Sequence, residues 1–185
     1  MALAFPAHAQ FGKSVAFKAA AVKKPAGGGG GGGASVLVTA ASRNNGTRNN
    51  FGGRVGVYFT CANSKTITSL GRWVIAGNSQ THVLRLLDQS GTQLATVTVN
   101  TSGATAGDYL YGAITPTAIT AGISYFILSD ETSGGDLWYD DAGATLDSAV
   151  VGAGTPWASA FDAGPGSPTQ ATAGKIFGPV NALWQ

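Results

Sequence analysis

Few side chains in this sequence could carry out chemistry. His8 and His82 are the two histidines, the residue type that serves as a base near neutral pH. His8 lies in an N-terminal stretch that reads as a tail, so His82 stands alone in the body of the chain. It follows a turn and opens an apolar run, a setting that suits a hydrogen-bonded structural histidine. Glycoside hydrolysis needs two carboxylates, and the acidic doublets are Asp130/Glu131 and Asp140/Asp141, both in segments that read as loop. There is no Gly-x-Ser-x-Gly elbow, no His-Glu-x-x-His pair and no phosphate loop, since no Gly-Lys-Ser/Thr ends the polyglycine tract. The sequence predicts no enzyme and no catalytic residue.

Binding is better provided for. Calcium takes six to eight oxygen ligands, often from Asp-rich loops. Asp130 to Asp141 holds five carboxylates around Gly134-Gly135, although without the alternating order of an EF-hand. Asp136, Asp140 and Asp141 are the candidate calcium ligands, and a solvated acidic loop is the plainer role. No other cofactor is expected. Sugars stack on aromatic rings beside polar groups that fix their orientation. Trp138 and Tyr139, set between Asp136 and Asp140, have that chemistry; Trp73 beside Arg72 is a second candidate. Tryptophan in a β-sandwich is also a common core residue, and Trp157 and Trp184 could cap the core or touch a partner.

Strands must position these groups. Strand-like runs recur at the spacing of sandwiches and barrels, over residues 35–40, 54–60, 66–75, 81–87, 93–100, 109–114, 124–129 and 136–139. Shorter candidates are 148–151, 175–177 and 180–184. Residues 82–87 are almost continuously apolar, as in a strand covered on both faces. In 93–99, Leu94 and the valines cannot all face the same way. Asp88-Gln-Ser-Gly-Thr92 reads as a hairpin turn, and Ala121-Gly122 as another.

Composition agrees. Of 185 residues, 44% are apolar and 11% charged, with 28 glycines. The charged share is well below the ordinary quarter, so charge-driven disorder is excluded for most of the chain. No apolar run is long enough for a membrane-spanning helix. The lone Cys61 excludes an internal disulfide and a multi-cysteine zinc site, and it reads as a small core residue. Charge is segregated. The ten charged residues up to Arg85 are all basic, and the nine from Asp88 to Asp162 are all acidic, with Lys175 after them. Either the two blocks form complementary faces or a tail, or one fold mixes them in space.

The first 34 residues differ from the rest. Residues 1–26 are rich in Ala, Lys and Phe, with Phe5, Phe11 and Phe17 spaced by six, and Gly27 to Gly33 form a flexible tract. Ala7-His-Ala9 looks like a signal-peptidase site, but no basic residue precedes it and the apolar run is short, so no secretory signal is expected. Lys13, Lys18, Lys23 and Lys24 lack an arginine cluster. They make a weak phosphate footprint and suit an acidic protein surface better than nucleic acid.

Residues 54–140 resemble a β-sandwich module of unknown function from bacterial extracellular proteins and phage virion proteins. The resemblance rests on Val55-Gly-Val-Tyr-Phe-Thr60, Ile67-Thr-Ser-Leu-Gly-Arg-Trp73, Gly77-Asn-Ser-Gln-Thr-His82 and Val83-Leu-Arg-Leu-Leu87. It continues through Asp88-Gln-Ser-Gly-Thr-Gln-Leu-Ala95, Ile119-Thr-Ala-Gly-Ile-Ser-Tyr125 and Glu131-Thr-Ser-Gly-Gly-Asp-Leu-Trp-Tyr139. It implies a module that displays or binds on surfaces without known catalysis.

The expectation is an all-β, antiparallel, jelly-roll-like sandwich over 35–185, behind an anchoring arm (1–26) and a polyglycine hinge (27–34). The expected role is a phage virion structural protein, a capsid decoration or head-fibre protein; the rival is a secreted or surface carbohydrate-binding module. Phe5, Phe11 and Phe17 would fill pockets on a neighbouring virion protein while Lys13, Lys18, Lys23 and Lys24 meet its acids. The head would self-associate. Neither nucleic acid nor membrane is an expected partner.

Overall fold

The structure, a computed structural model, describes residues 33–41, 43, 46–140, 143–158, 169–173, 176–177 and 179–185. Phe5, Phe11, Phe17, the four lysines of the arm, most of the glycine tract and Asp141 lie outside the described residues. No helix occurs among those described. The first strands are β1 (Ser35–Val36), β2 (Val38–Ala41), β3 (Thr47–Arg48), β4 (Gly53–Cys61) and β5 (Lys65–Trp73). Next come β6 (Thr81–Asp88), β7 (Gln93–Asn100), β8 (Tyr109–Ile119) and β9 (Ser124–Glu131). The last are β10 (Trp138–Tyr139), β11 (Ala144–Leu146), β12 (Val150–Ala158), β13 (Thr169–Ala173) and β14 (Val180–Trp184).

These strands build an antiparallel β-sandwich. One sheet has the order β13-β12-β4-β9-β6-β7 and the other β1-β14-β5-β8, with two-stranded ribbons β10-β3 and β11-β2 beside them. Between the sheets pack Val57 and Phe59 from β4, Leu84 and Leu86 from β6, and Ile127 from β9. They meet Ile67 and Leu70 from β5, Ile119 from β8, and Trp184 from β14. The chain crosses between the sheets from β4 to β5, β5 to β6, β7 to β8 and β8 to β9, the wrapping expected of a jelly-roll-like sandwich. The hairpin β6–β7 stays within one sheet. Its turn is built by Asp88, whose carboxylate accepts the Ser90 hydroxyl and the Ser90 and Thr92 amides, while Gly91 takes a positive φ of 85°.

Period-two alternation accounts for the faces. On β7, Val99 is buried and Ala95 and Val97 are half-buried against the core, whereas Leu94, Thr96 and Thr98 face water. On β6, Leu84 and Leu86 enter the core and Leu87 joins a second apolar cluster with Phe126 and Leu128, so the strand is covered on both faces at its end, while Val83 and Arg85 on the outer face are half-buried.

Several expected boundaries shift. β8 runs through Pro116 to Ile119, which is tolerated because β8 is an edge strand and needs no amide there. The run 148–151 becomes the longer β12, and 136–139 contracts to β10. Ile176 and Phe177 are not a strand; the Phe177 amide instead donates to the Gly56 carbonyl. Short β3 and β13 carry polar or small residues, and their partners define them; β11 is short but alternates, with Ala144 and Leu146 against the core and Thr145 exposed.

Candidate functional site

Arg72 and Trp73 are neighbours on β5, and so they point to opposite sides of the sheet. Arg72 enters the sandwich. Its Nε and Nη2 donate to the two carboxylate oxygens of Glu131 at 3.1 and 2.8 Å, and Nη1 donates to the Trp73 carbonyl. Both side chains are essentially shielded from water. Glu131 also accepts the Ser129 hydroxyl. Beside it lies His82, with Nδ1 3.2 Å from the Asp130 carbonyl and Nε2 3.0 Å from Asp136. His82 thus has the hydrogen-bonded setting that its place in the sequence suggested.

Asp136 is held from several sides. Its carboxylate accepts the Ser79 and Gln80 amides and the Thr101 hydroxyl as well as facing His82. Burial alone would push the carboxyl pKa up, but these hydrogen bonds outweigh it and bring the value down to about 2. Asp140 faces Arg48 at 2.9 Å. Asp130 sits between Arg54 and Arg85, at 3.1 and 2.9 Å. Each of these arginine pairs joins the basic first half of the chain to the acidic second half, so the fold mixes the two charge blocks in space. Among the described residues no group of three or more His, Cys, Asp or Glu side chains is arranged to hold a metal ion. Asp136 and Asp140 are engaged as described, and Asp141 lies outside the described residues.

Trp73 takes the other side of β5. Leu110 packs against the core, so its neighbours Tyr109 and Tyr111 on β8 share the outer face with Trp73. Tyr111 pairs with Gly71, and its ring covers the space that a side chain there would fill: a Cβ on Gly71 would stand 2.6 Å from the ring. Trp73 and Tyr109 meet edge-to-face, centroids 4.9 Å apart. A groove of about 280 Å³ runs along these rings, walled by Val36, Asn181 and the segment from Val38 to Ala40, with Asp108 and Arg43 also lining it. Asn181 fixes the segment by accepting the Val38 amide at 2.8 Å and donating to the Val38 carbonyl at 3.0 Å. The Arg43 guanidinium carbon stands 3.3 Å above the Trp73 ring centroid and 5.9 Å from that of Tyr139. Burial, with Tyr109 and Asp108 nearby, raises the Tyr111 hydroxyl, so it stays neutral.

The four residues expected to bind a ligand therefore separate. Trp73 and Tyr139 flank one guanidinium, Arg72 is inside the sandwich, and Trp138 is 2% exposed. Trp138 stacks edge-on against Phe177 at 5.6 Å and lines a second cleft of about 280 Å³ with Arg48, Phe51, Val55 and Phe177. Sequence reasoning missed Arg43, which sits in a polar stretch with no pattern of its own. It also missed Tyr109 and Tyr111, whose spacing by two on a strand was a readable signal for a shared face.

This is an all-β sandwich with an ionic cluster sealed between its sheets and an aromatic groove outside the smaller one. The chain belongs to the family described as a domain of unknown function (DUF4082), whose pattern matches residues 39–176. That span takes in the resembling residues 54–140 and extends over most of β2, Arg43 and the strands β11 to β13. No curated protein matches the chain.

Proposed function

We propose that this protein is a non-catalytic display protein of a phage particle, a capsid decoration or head-fibre protein fastened by its N-terminal arm. The observation that carries this reading is the division of the chain. A Phe- and Lys-bearing arm and a run of seven glycines precede a sandwich whose acids Asp130, Glu131, Asp136 and Asp140 all brace the sandwich itself. In this reading the sandwich is the displayed head, and the glycine run has the composition of a linker between it and the anchor. The test replaces Phe5, Phe11 and Phe17 with Ala in the full chain and measures the share bound to particles. Bound protein should fall sharply while the melting temperature of the head stays unchanged. Unchanged binding would sink the anchoring role.

A second reading, a secreted or surface carbohydrate-binding module, draws on the groove along Trp73, Tyr109 and Tyr111. A glycan array probed with the full chain separates the two. Particle attachment without glycan binding favours display alone, and glycan binding without attachment favours the module.

A further inference from the structure

Arg43 and Asp108 line the same groove with opposite charges, yet they form no ion pair with one another or with any other described residue. A centroid distance of 3.3 Å places the Arg43 guanidinium face-on against Trp73. Stacking of this kind occupies the face of the guanidinium and leaves its in-plane N–H donors available, in the fork that matches a carboxylate. Arg43 is half-buried, and the stacking on Trp73 fixes its position before any ligand arrives. Asp108, at the exposed rim, accepts the Tyr109 amide at 2.8 Å with one carboxylate oxygen. Its other oxygen has no partner among the described residues.

We propose that this groove binds a carboxylated sugar, a hexuronic acid residue at the end of or within a glycan. The proposal rests on the carbohydrate-binding reading above and adds the chemical class. A neutral sugar would use the rings and Asp108 but leave Arg43 unanswered. A simple carboxylate would use Arg43 and leave Asp108 and the ring wall unused. A sugar acid uses all three: its carboxylate meets the guanidinium, its hydroxyls donate to Asp108, and its apolar C–H face lies on the half-buried ring of Tyr109, Tyr111 being only 2% exposed. The volume of about 280 Å³ sits at the small end of ligand pockets and suits one sugar ring rather than an extended chain in full contact.

The experiment titrates the full chain with methyl β-glucuronide, methyl β-glucoside and acetate, following the indole N–H signals by NMR. The glucuronide should bind about tenfold tighter than the glucoside, the difference expected of one charge-assisted hydrogen-bonded pair. Arg43→Gln should remove that preference, so that the two sugars bind with equal affinity. Asp108→Asn should weaken both sugars, and acetate should be the weakest ligand. Equal binding of the two sugars would overturn the acid preference and leave the carbohydrate reading standing. If neither sugar moves a groove signal, both fall. If acetate matches the glucuronide, the groove is an anion site and the sugar assignment is wrong. Near-UV circular dichroism of each variant shows that the sandwich is intact.

Discussion

Arg72 on β5 and Glu131 at the end of β9 grip each other through two hydrogen bonds across the interior, and so tie the smaller sheet to the larger. The pair is nearly fully buried, where a charge left without its partner is expensive. Glu131→Gln should therefore lower the unfolding free energy by about 3 kcal/mol or more. The double variant Arg72→Met/Glu131→Leu should recover most of that loss, because an apolar pair of similar size carries no desolvation cost. Denaturant titrations of the three proteins decide it, and a double variant as unstable as the single one would contradict this account.

Asp136 sets a limit at acid pH. Its folded-state pKa of about 2 lies below the ordinary 3.8, so the unfolded chain takes up the proton first. Its contribution is complete well above pH 4, falls as the pH drops through that range, and is gone below about 2. The amount is about 2 kcal/mol. Stability measured from pH 6 to 2 should fall with this slope, and Asp136→Asn should start lower and lose that part of the slope.

Two glycines in neighbouring strands should behave oppositely. A Cβ on Gly56, in the middle of β4, would run into the carbonyl of Ile127 on β9, and backbone cannot step aside cheaply. A Cβ on Gly152 in β12 would meet nothing nearer than Thr60 at 4.0 Å. Gly56→Ala should cost about 3 kcal/mol or prevent folding, and Gly152→Ala should stay within about 0.5 kcal/mol of the parent. Thermal melts of both variants settle the comparison.

Cys61 is 1% exposed, and burial pushes its thiol to about 11, with Lys65 opposing and Asp147 adding to the rise. The thiolate is the reactive form, so a thiol reagent at pH 8 should label the folded protein far more slowly than the unfolded one. Labelling should track the unfolding transition. Rapid labelling in buffer would mean that β4 opens locally at its end.

Much of the sandwich was legible because its turns are chemically explicit. Asp88 with Gly91 fixes the β6–β7 hairpin, and the alternation from Ala95 to Val99 fixes which face of β7 turns inward. Of the two ribbons, the strands β2 and β10 fell almost wholly within expected runs, but their partners β11 and β3 were not legible. The strand of Thr47 and Arg48 exists through its pairing with Trp138 and Tyr139, a contact that no local pattern encodes. The site divided along the same line. Adjacency suggested that Arg72 and Trp73 act together, yet adjacent strand residues face opposite ways, and Arg72 went to Glu131 while Trp73 met Arg43. Arg43 is carried to Trp73 by the path of β2, which is a property of topology rather than of sequence spacing.

The pairing of an all-basic first block with the acidic block from Asp88 to Asp162 also acts before the fold exists. In the denatured ensemble the two blocks attract over distances set by ionic strength, on the order of 10 Å at 0.1 M salt. That attraction favours compact conformations in which Arg54 of β4 is near Asp130 of β9, a long-range pairing on which the larger sheet depends. The order of charge along the chain thus gives the folding search a coarse sense of direction, one that added salt should weaken even where it leaves the finished sandwich untouched.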